Sequence, residues 1–133
     1  EEFRGLRVGL AVCFDWIFPE SFRTLALRGA DLVAHSANLV LPFCQRADFA
    51  RAVENRIYVA TANRVGSEER SGARLDFTGE SVVVSPSGEY LARLSAGRAE
   101  AAVVDVDPAR SRDKRLNPYN DLLGDRRPDL YEP

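Results

Sequence analysis

Three short apolar runs, Leu6–Phe14, Asp31–His35 and Ile57–Ala62, are separated by two stretches with helical spacing. This alternation limits the fold more than any other feature of the sequence. Strands joined through helices of this length run parallel, with right-handed crossovers. In the first run Leu6, Val8, Leu10 and Val12 alternate with small or polar residues, the period of a strand. Pro19 suits the first turn of a helix. Phe22, Leu25 and Ala26 share one face of Ser21–Arg28, and Gly29 closes it. Gln45–Arg56 repeats the pattern, with Phe49, Ala50, Val53 and Ile57 expected on the inner side.

Beyond residue 62 the pattern changes. Asn63–Arg74 is polar and contains glycine, which reads as a loop. Ser81–Ser85 and Glu89–Leu94 flank the turn Pro86-Ser87-Gly88 and read as a hairpin. Ala99–Asp107 alternates like a further strand, and Pro108–Arg112 opens a short helix. The expected fold is α/β (α+β): a mixed sheet with helices on one face. Apolar residues lie on both faces of the strands, so the second face calls for a covering layer that one chain of this size does not supply. Residues 1–107 form the domain body. Residues 108–133 form a helix and charged tail, with Leu122, Leu123, Leu130 and Tyr131 as anchors and Arg126 and Arg127 as interface or solvated charges.

Composition mainly excludes. The net charge is −2, with no basic excess for a nucleic-acid or membrane surface. The apolar runs are strand-sized, and no signal peptide opens the chain. Cys13 and Cys44 are too few and too far apart for a disulfide framework or zinc site, so a cytoplasmic setting with no metal is expected. The chain has no methionine and begins Glu1-Glu2-Phe3-Arg4, which reads as the middle of something longer. Of 18 lysines and arginines only Lys114 is a lysine.

The chemistry-bearing residue is Cys13. A thiol at the carboxyl end of a parallel strand, leading into a helix, sits where α/β folds place their sites. Backbone N–H groups at that bend can stabilise a thiolate or an oxyanion. The competing reading is a cysteine packed as a small hydrophobe. Cys44, in the loop Ser36–Cys44, has the weaker case for reactivity.

"GLAVCFDWIFPES" resembles the cysteine signature of the nitrilase, or carbon–nitrogen hydrolase, superfamily: an apolar strand, Cys, an aromatic, Asp and then Pro-Glu. "RTLALRGADLVAHSANLV", "RAVENRIYVATANRVG", "FTGESVVVSPSGEYLA" and "RRPDLY" are similar to further family segments, in order, from about residue 5 to residue 131. The resemblance implies the C-terminal half of a four-layer αββα sandwich and a hydrolase of linear amides or nitriles, without cofactor. It implies Cys13 as nucleophile and the Phe14 N–H as part of the oxyanion hole. Asp15, Trp16, His35, Asn38 and Leu39 would shape the substrate pocket. Cys-aromatic-Asp resembles the amidase branch more than the nitrile-specific one. The family's glutamate base and lysine precede the cysteine. Here twelve residues precede Cys13, none of them lysine, and Glu1 and Glu2 do not fit the base motif. Lys114, after the strands, is not carried over. A homo-oligomer, dimer or higher, is the implied assembly.

Other readings stand beside this one. Asp15 also fits a helix-start acid, Glu20 an acid complementing the helix dipole, and Phe14, Trp16 and Phe18 a core stripe. Glu54 reads as a buried acid paired with an arginine, and Asn63-Arg64-Val65-Gly66 as a tight turn. His35, the only histidine, could be a base for Cys13 in a different class of thiol enzyme. A catalytically inactive half-domain, a nitrilase proper and a carbamoyl-amide hydrolase complete the set.

Overall fold

The computed structural model describes residues 1–131. In chain order its elements are β1 (Glu2–Phe3), β2 (Leu6–Val12), a 3-10 turn (Cys13–Ile17), α1 (Pro19–Leu27), β3 (Leu32–Ala37), α2 (Cys44–Asn55) and β4 (Tyr58–Asn63). There follow β5 (Ser67–Arg70), β6 (Ala73–Asp76), β7 (Val82–Val84), β8 (Tyr90–Arg93), α3 (Pro108–Arg112), β9 (Arg115–Asn117), β10 (Asn120–Asp121) and a last 3-10 turn (Pro128–Leu130). Six strands make one sheet in the order β1-β2-β3-β4-β7-β8. β2, β3 and β4 are parallel, and β7 returns antiparallel along β4. The register sets Ala11 beside His35 and His35 beside Thr61.

The sheet is mixed, with its helices on one face. Phe22 and Ala26, four apart on α1, are buried against Ala11, Val33, Val59, Val82 and Val84. Burying a side chain such as Phe22 stabilises the fold by roughly 1.5–3 kcal/mol. Gly29, at φ +85°, turns the chain from α1 into β3, a conformation that favours glycine. On the far face Leu10 and Val12 are 67% and 61% exposed.

α3 ties the end of the chain to the body. The Asp31 carboxylate accepts from the Arg7 N–H at 2.9 Å and from Arg112 Nη2 at 2.8 Å, and Ser111 Oγ donates to the Asp31 carbonyl at 2.7 Å. Lys114 Nζ donates to the carbonyls of Asn55 and Arg56 at 3.0 and 2.8 Å, satisfying the C-terminus of α2.

Several expectations need correction. Ala99–Asp107 is not a strand: among the described residues its backbone pairs with no other strand, and Val103 is 98% exposed. Alternation alone does not make a ladder. Residues 63–74 are not all loop, because β5 and β6 pair through Ser71 and Gly72, both at positive φ. The tail carries the small β9–β10 pair, and its last two residues, 132 and 133, lie outside the described residues. α2 buries Cys44, Gln45, Asp48, Ala52 and Asn55 rather than the face through Phe49 and Ala50. Its inner face carries polar groups that bond inside, Gln45 to the Gly79 carbonyl and Asp48 to Thr61, so hydrophobicity does not mark it. Glu54 does pair with an arginine, Arg51 at 3.0 Å, but is only half-buried.

Candidate active site

β2 ends at Val12, and the backbone turns sharply at Cys13, whose φ is +45°. A non-glycine residue in the left-handed region costs about 1–2 kcal/mol, so its surroundings must hold it there. Three contacts do. The Asp15 carboxylate accepts from the Val12 N–H at 2.9 Å. His35 Nε2 meets the Cys13 carbonyl at 2.9 Å. Arg51, reaching over from α2, donates through Nε and Nη2 to the Trp16 carbonyl, both at 3.3 Å. Trp16 itself packs with Leu39 and Cys44 in a small second core. The thiol of Cys13 is left half-buried at the strand end.

Behind this bend lies a chain of buried polar groups. His35 is 2% exposed. Its Nδ1 lies 3.0 Å from Thr61 Oγ1, and the Thr61 hydroxyl pairs with Asp48 Oδ2 at 2.7 Å. Cys44 Sγ sits 3.8 Å from both Asp48 oxygens. Burial pushes the Asp48 carboxyl up, against the Thr61 hydrogen bond and the His35 charge. Burial, then the Asp48 charge, pushes the Cys44 thiol up, so Cys44 stays a protonated interior group. His35, Cys44 and Asp48 offer ligand atoms within 4.8 Å of one another. Thr61 already bridges two of them, so they form a hydrogen-bonded cluster rather than an open set of metal donors.

In front of the bend, the ends of β2, β3 and β4 form a concavity bordered by Cys13, Ser36, Asn38, Asn63 and Arg64. Asn63 shapes its floor. Its Oδ1 accepts from the Leu39 N–H at 2.9 Å, and its Nδ2 donates to Thr78 Oγ1 at 2.9 Å and the Gly79 carbonyl at 2.7 Å. The segment Asn63–Gly66 therefore links β4 to β5 rather than making a tight turn. Arg64 lies over the Phe77 ring at 4.2 Å and pairs with Glu68 at 2.6 Å.

Cys13 and Asn38 thus share the concavity, whereas Trp16, His35 and Leu39 are interior side chains. Asp15 is engaged with the Val12 N–H, as a helix-start acid would be. Phe14 and Phe18 are exposed and meet edge to face at 5.8 Å. The Cys13 carbonyl can only accept, so His35 Nε2 carries a proton and is turned to the backbone rather than poised to take one from the thiol. Sequence reasoning missed Asp48, Thr61, Asn63 and Arg51. Only the β3–β4 register and the inward face of α2 bring them to Cys13. Among the described residues no helix is long and apolar enough to cross a membrane.

The family described as carbon–nitrogen hydrolase matches residues 2–115. The chain is 49% identical over 126 residues to a nitrilase of Pyrococcus abyssi, covering 95% of this chain and 47% of that protein. The crystal structure of a carbon–nitrogen hydrolase from Helicobacter pylori superposes with a TM-score of 0.85 at 29% identity, over 96% of this chain and 49% of that one. A mutant amidase from Nesterenkonia sp. AN1, with the acetamide moiety of fluoroacetamide added covalently at its active-site cysteine, aligns with a TM-score of 0.73 at 35% identity, over 97% of this chain and 44% of that one. The chain spans about half the length of the relatives it matches.

Proposed function

The chain belongs to the carbon–nitrogen hydrolase family, and we propose that it carries the nucleophile of an enzyme that hydrolyses linear amides through a thioester. The observation that carries this reading is Cys13 at φ +45° on the end of a parallel strand, opening a helical turn. Such a bend presents the thiol and exposes the first N–H groups of the turn, which have no partner within it.

The chemistry follows from those groups. The Cys13 sulfur adds to the amide carbon as a base takes the thiol proton. The carbonyl oxygen becomes an oxyanion, stabilised by the Phe14 N–H. The C–N bond breaks, the leaving nitrogen takes the proton, and ammonia or an amine departs. Water, losing a proton to the same base, attacks the thioester and frees the acid and the thiol. Lys114 is not the partner lysine. It caps the Asn55 end of α2, while Trp16, next to the bend, packs against Cys44 at the other end, and twelve helical residues span roughly 18 Å. We assign the base, the lysine and the layer over Leu10 and Val12 to the part of the family's length that this chain does not span. A homo-oligomer fits the exposed apolar residues of the tail, Leu130 and Tyr131.

The Cys-aromatic-Asp sequence favours amides, while the name of the Pyrococcus relative favours nitriles, so the assay must offer both. Ammonia release from acetamide and from acetonitrile by the protein together with the part that supplies the base, before and after Cys13→Ala, tests the proposal. Amide turnover that disappears with the thiol supports it. Turnover that survives Cys13→Ala overturns it.

A further inference from the structure

We propose that His35 is a positioning residue that aims the Phe14 N–H at the oxyanion. This rests on the amide-hydrolase reading above. The peptide bond joining Cys13 to Phe14 is planar and trans, so its C=O and N–H point in opposite directions. The C=O end is held by His35 Nε2 at 2.9 Å, on the buried side of the bend. The N–H end is therefore turned away from the core. Phe14 is in the first turn of the 3-10 segment, where the N–H has no intrahelical acceptor. With the turn's own i→i+3 bonds, this hydrogen bond from the interior fixes the direction of a donor at the surface. A hydrogen bond to an amide oxygen also polarises the group and strengthens its N–H as a donor.

The imidazole is itself held. Thr61 Oγ1 lies 3.0 Å from Nδ1, and Thr61 leans on Asp48 at 2.7 Å. Two proton arrangements satisfy this chain. With Asp48 ionised, both ring nitrogens donate: Nδ1 to Thr61, and Thr61 to Asp48. With Asp48 protonated, the direction reverses, and Asp48 donates to Thr61 and Thr61 to Nδ1. In both, Nε2 keeps its proton and donates it to the Cys13 carbonyl as a hydrogen bond. The donor that sets the peptide plane is thus independent of where the second proton sits. The Phe22 ring meets the imidazole edge to face at 6.2 Å and restrains it from α1.

The test separates acyl chemistry from simple alkylation. Amide hydrolysis develops an oxyanion. Alkylation by iodoacetamide does not: the sulfur bonds to the CH2 carbon as iodide leaves, and the thiol proton goes to solvent. Cys44 is fully buried with its thiol pushed up, so alkylation reports Cys13. His35→Phe keeps a ring and removes the donor, while His35→Gln restores an N–H near the Nε2 position. We expect kcat for an amide to fall about 10- to 100-fold in His35→Phe, approaching the loss of an oxyanion-hole donor. KM should move by less than about threefold and the alkylation rate by less than about twofold. His35→Gln should recover most of kcat. If alkylation and turnover fall together, His35 acts as base or as mere scaffold and the proposal is overturned. Unchanged turnover in His35→Phe overturns it too. If the unsubstituted protein, assayed together with the part that supplies the base, hydrolyses no amide, the proposed function fails by itself. The positioning claim is then read from the Phe14 amide resonance in protein labelled with 15N-phenylalanine. It should shift in His35→Phe and return in His35→Gln, and an unmoved resonance overturns the claim.

Discussion

The two faces of the central strands differ by a one-residue step, yet they live in different surroundings. Ala11, Val33, His35, Val59 and Thr61 point toward α1 and α2 and are buried, while Leu10, Val12, Ser36 and Ala62 point the other way and are open. Both faces are largely apolar, as in sheets covered on both sides. The covered face has two tasks. Most of it is hydrocarbon and holds the fold together. Its end nearest Cys13 is polar, with His35 and Thr61 side by side in the register, and holds the bend. The open face has neither task within this chain.

Substitutions can break that contrast. The largest expected effect is at Phe22, fully buried on the covered face. Phe22→Ala should destabilise the chain by about 3–5 kcal/mol in urea unfolding. Leu10→Ala on the open face should cost less than about 0.5 kcal/mol. Should the Leu10 loss climb toward the Phe22 value when the chain is measured with a covering partner, that face is an interface. Next comes Thr61→Val, which leaves His35 Nδ1 and Asp48 without their shared partner. It should cost about 1–3 kcal/mol, against almost nothing for Ser36→Val one strand away on the open face.

Two buried aspartates sharpen the comparison further, because their signs differ. Burial pushes Asp31 up, but Arg112 and the Arg7 N–H outweigh it and hold the carboxyl below the ordinary range. Its contribution is present above an unfolded pKa of about 3.9 and is lost as pH falls through the folded value. Asp48 is raised, so its contribution is present below about 3.9 and is lost as pH rises through the folded value. In urea midpoints taken across this range, Asp31→Asn should flatten the acid limb and Asp48→Asn the decline above it. Lys114 extends the comparison to alkaline pH, where burial lowers it from 10.5 to about 8. The unfolded chain binds the extra proton between those values, so stability should rise with pH across them. Lys114→Met should level that rise.

The β-α-β-α-β order was legible because burial on one side imposes a period on the sequence. The β5–β6 pair was not, since Ser67–Arg70 and Ala73–Asp76 are mostly exposed and carry no period. Ser71-Gly72 was the available signal, a small-residue pair suited to a two-residue turn at positive φ. Ala99–Asp107 misled in the opposite way, having a period but no neighbour. At the site, Cys13 could be read from its place after a strand. Asp48 could not, because one acid on a helix looks like a solvated residue until the inward face is known. His35 was visible as the only histidine, but its role depends on which atom it faces, and that is set by the three-strand register.

The φ of Cys13 bears on how such a position changes over time. Measured by backbone energy alone, glycine is the preferred occupant there, and asparagine is better than cysteine. A lineage with no use for the thiol would drift toward those residues, and each step would relax the bend. Selection for stability and selection for chemistry therefore pull this one codon in opposite directions. The residue found there records which of the two prevailed.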